Sequence, residues 1–116
     1  IAACIDRARK ADPAFNLYDI DGKSCKEGVA PLPANQVNDL HWGKTFWIFE
    51  QLRKDCPDFL ARYFQAKRKH ALPGKINRYD ANNTVAVLSI ALERDLFPWF
   101  RSIGFDVDRN RADIKF

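Results

Sequence analysis

Between Asn35 and Asp55 the chain runs for about twenty residues, NQVNDLHWGKTFWIFEQLRKD, without a proline. Trp42, Phe46 and Phe49 recur at i, i+4 and i+7, with Val37, Leu40, Trp47, Ile48 and Leu52 beside them. That spacing predicts a helix, because residues three and four apart share a face at 3.6 residues per turn. The apolar arc is wide, so the expected place for this helix is the centre of a bundle. Gly43, costly in a helix, would let a neighbour approach closely there.

The flanking segments predict four more helices. Ile1, Ile5 and Ala8 form one stripe of a short helix over residues 1–11, with Asp6, Arg7, Arg9 and Lys10 off it. From Asp12 to Pro33 the chain holds Pro13, the DIDG turn at 19–22, Gly28, Pro31 and Pro33, which predicts a long loop pinned to the core by Phe15 and Tyr18. CPDFLARYFQAKRKH restarts a helix with Pro57 at its first position and Asp58 near its positive end. Phe59, Leu60, Tyr63 and Phe64 make its apolar face, and Pro73 with Gly74 stops it. Asn82 or Asn83 is the expected cap of the next helix, whose Val85, Leu88 and Leu92 fall on one side. Asp95 caps a last short helix that tolerates Pro98 in its first turn; Gly104 ends it, and FDV after it is a candidate for a brief extended segment.

These elements amount to an all-α bundle of about five helices in a single domain, 1–116. The composition agrees, with 47% hydrophobic residues for a core, 13% aromatic residues and only 6 Pro and 5 Gly. No apolar run approaches the roughly 20 residues of a membrane span. The chain has no Met and opens directly on helical periodicity, so it is expected to be a fragment of a longer protein. Cys4, Cys25 and Cys56 allow at most one internal disulfide and leave the redox compartment open.

Self-contained catalysis finds little support in the residues. A zinc hydrolase needs three ligands and a base, commonly HExxH, whereas the histidines here, His41 and His70, are far apart in sequence. His41 reads as a helix-flank residue and His70 as a cation near a helix C-terminus. Cys25, between Lys23 and Lys26, is the one thiol whose surroundings suggest a lowered pKa. DIDGKSCKEG and DVDRN carry part of a calcium-loop pattern, but Leu17, Gly28 and Arg111 stand where that pattern requires a ligand, a Glu and a Gly. Turn-forming Asp and Gly is the plainer reading. The formal charge is +4, and the run Lys67, Arg68, Lys69, His70 with Lys75 and Arg78 is the one dense basic stretch. Nucleic acid is not the expected partner, because the aromatic residues follow core spacing and offer no stacking platform.

Two stretches, FEQLRKDCPDFLARYFQAKR and LSIALERDLFPWFRSIGFDV, together resemble the C-terminal helical part of gluzincin-type zinc metallopeptidases, in particular the enhancin-like, mucin-directed group. Ser89, Ala91, Arg94, Asp95, Leu96, Pro98, Phe100, Gly104 and Phe105 match that group's pattern, whereas Glu93 replaces a Gly, Trp99 a Phe and Ile103 a Trp. The resemblance implies a non-catalytic subdomain that buttresses an upstream catalytic subdomain. The zinc ligands would lie upstream, so no catalytic, cofactor-binding or metal residue falls on this chain. It also implies glycoprotein or peptide as substrate and a secreted or cell-surface setting. Lys75, Asn77, Arg78 and Tyr79 in KINRYD are the candidate substrate contacts, combining donors with an aromatic in an interhelical loop. The alternative is a non-enzymatic interaction module that presents its basic helix end to an acidic partner.

Overall fold

The computed structural model describes residues 2–70 and 80–116. Five α-helices lie in this part of the chain: α1 (Ala2–Ala11), α2 (Ala34–Asp55), α3 (Phe59–Lys69), α4 (Ala81–Leu92) and α5 (Phe97–Ser102), followed by a 3-10 turn at Arg109–Arg111. The fold class is all-α, as the periodicity predicts; among the described residues the strand-like pairing is a single bridge between Tyr18 and Ser24. The chain divides into two compact units, Ile1–Asp55 with Ser102–Phe105, and Cys56–Arg101 with Asp106–Phe116.

In the first unit α1 packs on α2. Gly43 is the close-approach point: a Cβ there would stand 2.3 Å from the Cys4 carbonyl oxygen and 2.4 Å from the Ala8 Cβ. The loop between the helices is anchored where expected, with Phe15 and Tyr18 buried. Phe15 holds a positive φ of 53°, and its ring lies 4.7 Å from that of Trp47. The Tyr18 hydroxyl donates to the Ala30 carbonyl at 3.1 Å. The Asp19 carboxylate closes the DIDG turn by accepting from the N–H groups of Asp21 and Lys23, both at 2.9 Å.

The place of α2 differs from the expectation. Its Leu40, Gly43, Lys44, Ile48 and Leu52 are buried, but Trp42 and Phe49 remain 53% and 44% exposed. A helix apolar on two opposite faces has buried only one of them. The helix buried on most of its surface is α4, where Asn83, Val85, Ala86, Val87, Leu88, Ser89 and Ala91 are buried. On α3 the expected apolar face is also split, with Phe59 buried and Leu60 and Phe64 exposed.

In the second unit α3 packs on α4. The cap of α4 is Asp80, not Asn82 or Asn83: its carboxylate accepts from the Asn83 N–H at 2.9 Å, and Ala81 already begins the helix. The earlier, extended carboxylate is the better acceptor for the free N–H groups at the positive end. Both asparagines instead hold the C-terminal tail. Asn82 Oδ1 accepts from the Asp108 N–H, and Asn83 Oδ1 accepts from the N–H groups of Asp113 and Ile114 at 2.8 and 3.1 Å. Ser89 links α4 to the start of α5, donating to the Val85 carbonyl and accepting from the Leu96 N–H at 3.0 Å. Asp95 caps α5 through the Phe97 N–H, as its position predicts. The Pro73–Gly74 stop lies outside the described residues; α3 ends at Lys69, with the His70 N–H bonded to the Ala66 carbonyl.

Candidate functional site

The candidate substrate contacts Lys75, Asn77, Arg78 and Tyr79 lie outside the described residues. The most concentrated chemistry elsewhere is in the first unit, around a lysine that no motif marks. Lys44 is fully buried on α2. Its Nζ donates to the carbonyls of Phe15 at 3.0 Å and Tyr18 at 2.6 Å, and also to that of Ile103. The Phe105 ring centroid lies 5.3 Å away. Burial pushes the Lys44 ammonium below its ordinary range, and the negative charge of Asp12 is the largest influence opposing that shift. An ammonium has three N–H donors, and here three carbonyls take them. An amine acting as a nucleophile would need a lone pair facing a substrate, so this geometry suits holding a loop rather than covalent chemistry.

Asp12 is equally buried. Its carboxylate accepts from the N–H groups of Asn16 at 3.0 Å, Leu17 at 2.9 Å and Tyr18 at 3.0 Å. The same loop is thus held by a buried anion at its N–H groups and a buried cation at its carbonyls. Cys25 adds a third grip, its Sγ donating to the Gly104 carbonyl at 2.9 Å. Gly104 has φ +92°, and a Cβ on it would lie 2.9 Å from the Tyr18 carbonyl oxygen, 3.1 Å from Cys25 Sγ and 3.2 Å from Lys44 Nζ. Only glycine fits that place.

The pKa of Cys25 moves opposite to the sequence expectation. Desolvation raises it, and the positive charge of Lys44 opposes that rise without reversing it. The thiol is therefore a hydrogen-bond donor and a poor nucleophile at neutral pH. Cys56 is also raised, chiefly by its hydrogen bond to the Asp58 carboxylate at 3.1 Å. All three cysteines are free thiols.

The remaining motif residues have local duties. His41 Nδ1 bonds the Ile20 carbonyl at 3.0 Å and so ties the DIDG turn to α2. In DVDRN, Asp106 pairs with Arg111 at 2.8 Å, and Asp108 caps the 3-10 turn through the Asn110 N–H. Lys67 lies over the Tyr63 ring, while Arg68 and Lys69 project from the negative end of α3.

The other feature of the first unit is the outward face of α2. A cleft of about 230 Å³ is lined by Cys4, Arg7, Asn38, Asp39, Trp42 and Phe46. The Trp42 and Phe46 rings are 6.0 Å apart, and Arg7 Nε is paired with Asp39 Oδ1 at 3.3 Å. Neither the outward turn of this face nor the buried clasp is legible in the sequence. The aromatic spacing marks the face as apolar, but nothing local to it says that the opposite side of the helix meets the core. Comparison with protein-family models, curated proteins and solved structures finds no match.

Proposed function

We propose that this chain is a non-catalytic helical subdomain that supports the catalytic part of a gluzincin-type zinc metallopeptidase acting on glycoprotein or peptide substrates. The observation that carries the reading is what the residues of the resembling stretch do. Ser89 joins α4 to α5, Asp95 caps α5, Leu96 and Phe100 are buried, and Gly104 occupies a place closed to any Cβ. Glu93, where the family pattern has Gly, sits at φ 57° in the left-handed C-cap of α4, a conformation that favours Gly. A pattern made of caps and packing residues belongs to a scaffold.

The role that follows is support. The buried polar side chains of Asp12, Lys44, Asn83 and Ser89 bond to the backbone and stiffen the two units. Leu60 and Phe64, one turn apart and exposed on α3, offer apolar surface to the upstream catalytic subdomain. Zinc and its ligands would belong to that subdomain, the chain alone would hydrolyse nothing, and the setting would be secreted or cell-surface.

Sequencing the coding DNA upstream of Ile1 tests this directly. An HExxH with a downstream Glu in the same reading frame is the expected result, followed by zinc-dependent peptidase activity of the whole protein. A start codon immediately before Ile1, or a long upstream region without those ligands, would sink the reading.

A further inference from the structure

On the side of α2 opposite the buried Leu40, Lys44 and Ile48, helical geometry aligns Asp39, Trp42, Phe46, Phe49 and Arg53 at intervals of three and four residues. The centre of this stripe is aromatic, and it ends on an acid at one side and a base at the other. Each end charge already has a neighbour of opposite sign: Arg7 pairs with Asp39 at 3.3 Å, and Glu50 with Arg53 at 2.8 Å. Arg7, Asp39 and Arg53 are exposed and Glu50 is partly so, which leaves both ends available to further charges.

The order of the stripe reads as its own complement when reversed. If a second α2 lies antiparallel across it with a two-fold axis at Phe46, then Trp42 meets Phe49 of the copy, Phe46 meets Phe46, and Asp39 meets Arg53. Glu50 of the copy then falls toward Arg7, and each end becomes a four-charge cluster of alternating sign. Such a self-matching patch is what an isologous interface requires. The stretch from Asp39 to Arg53 is about 21 Å long at the α-helical rise.

We propose that this face of α2 is a homodimer interface and that its partner is a second copy of this chain packed antiparallel. The proposal is independent of the metallopeptidase reading. An apolar centre of three aromatic residues supplies the affinity, and the charged ends set the direction and register.

Sedimentation equilibrium of the 116-residue chain, from micromolar to near-millimolar concentration, tests it. The average mass is expected to rise from that of one chain toward that of two. Asp39→Arg alone and Arg53→Asp alone should each weaken dimerisation by about tenfold, because each sets like charges opposite one another across the axis. The two substitutions together should return it to near the original strength. Phe46→Glu, which brings two carboxylates together on the axis, should leave a monomer whose helical circular dichroism is unchanged. A single-chain mass at every concentration would overturn the proposal. So would dimerisation indifferent to the single reversals, or a double variant no stronger than either.

Discussion

Asp12 and Lys44 grip opposite ends of the same residue: the Tyr18 N–H donates to the Asp12 carboxylate at 3.0 Å, and the Tyr18 carbonyl accepts from Lys44 Nζ at 2.6 Å. Both side chains are fully buried, so an anion at the N–H and a cation at the carbonyl of one residue hold the loop between α1 and α2. Loop backbone cannot pair with itself as a helix does, and burying it requires partners of both polarities.

Lys44→Met keeps most of the side-chain volume and removes the charge. It would leave the carbonyls of Phe15, Tyr18 and Ile103 without their donor. Each buried acceptor left unsatisfied costs about 1–3 kcal/mol. Urea unfolding followed by circular dichroism should therefore show a large fall in midpoint. A loss below about 1 kcal/mol would mean that the clasp is dispensable.

Gly43→Ala should destabilise despite the better helix propensity of alanine, which by itself favours the variant by about 1 kcal/mol. The new methyl would lie 2.3 Å from the Cys4 carbonyl oxygen, so α1 must move away from α2. Overpacking of this kind costs about 1–3 kcal/mol, giving a small net loss. A variant that melts higher than the parent would show that α1 shifts freely.

Glu93→Gly should have the opposite effect. Glu93 holds a φ of 57°, where its Cβ crowds the backbone, and glycine has no such penalty. The expected gain is about 0.5–1 kcal/mol, readable as a rise in thermal midpoint. Unchanged or lower stability would mean that the exposed Glu93 side chain contributes more than its backbone costs.

Cys25 should resist alkylation at neutral pH and react only as the pH passes above that of an ordinary thiol. Its raised pKa also fixes the sign of a stability effect. Between the unfolded thiol pKa, near 8.5, and the higher folded value, the unfolded chain loses a proton that the folded chain keeps. The contribution of Cys25 is thus complete below that window and lost as pH rises through the folded pKa. Relative to Cys25→Ala, the parent should lose stability on titration above about pH 8.5, with an unchanged difference below it. Fast iodoacetamide labelling at neutral pH, located to Cys25 by mass spectrometry, would contradict the raised pKa.

Much of the fold is decided by local rules. The 3.6-residue periodicity of 35–55, the proline-rich stretch 12–33 and Asp95 before Leu-Phe-Pro each set an element through steric or hydrogen-bonding effects a few residues long, and α1, α2 and α5 lie where those rules place them. Phe15 and Tyr18 are legible as anchors because a long loop must bury something. The cap of α4 is less legible, since Asp80, Asn82 and Asn83 all qualify until the C-terminal tail claims the two asparagines.

What only the tertiary structure decided is which surfaces meet. The sequence makes α2 apolar on two sides, but the burial of Leu40 among Ala8, Phe15, Tyr18 and Leu32, while Trp42 stays 53% exposed, depends on where α1 and the loop come to rest. Lys44 looks like any helical lysine, and nothing within a few residues foretells that carbonyls of Phe15, Tyr18 and Ile103 will converge on it. Periodicity is a property of one chain segment. Burial and hydrogen-bond satisfaction belong to segments far apart in sequence, and those are fixed only when the chain closes on itself.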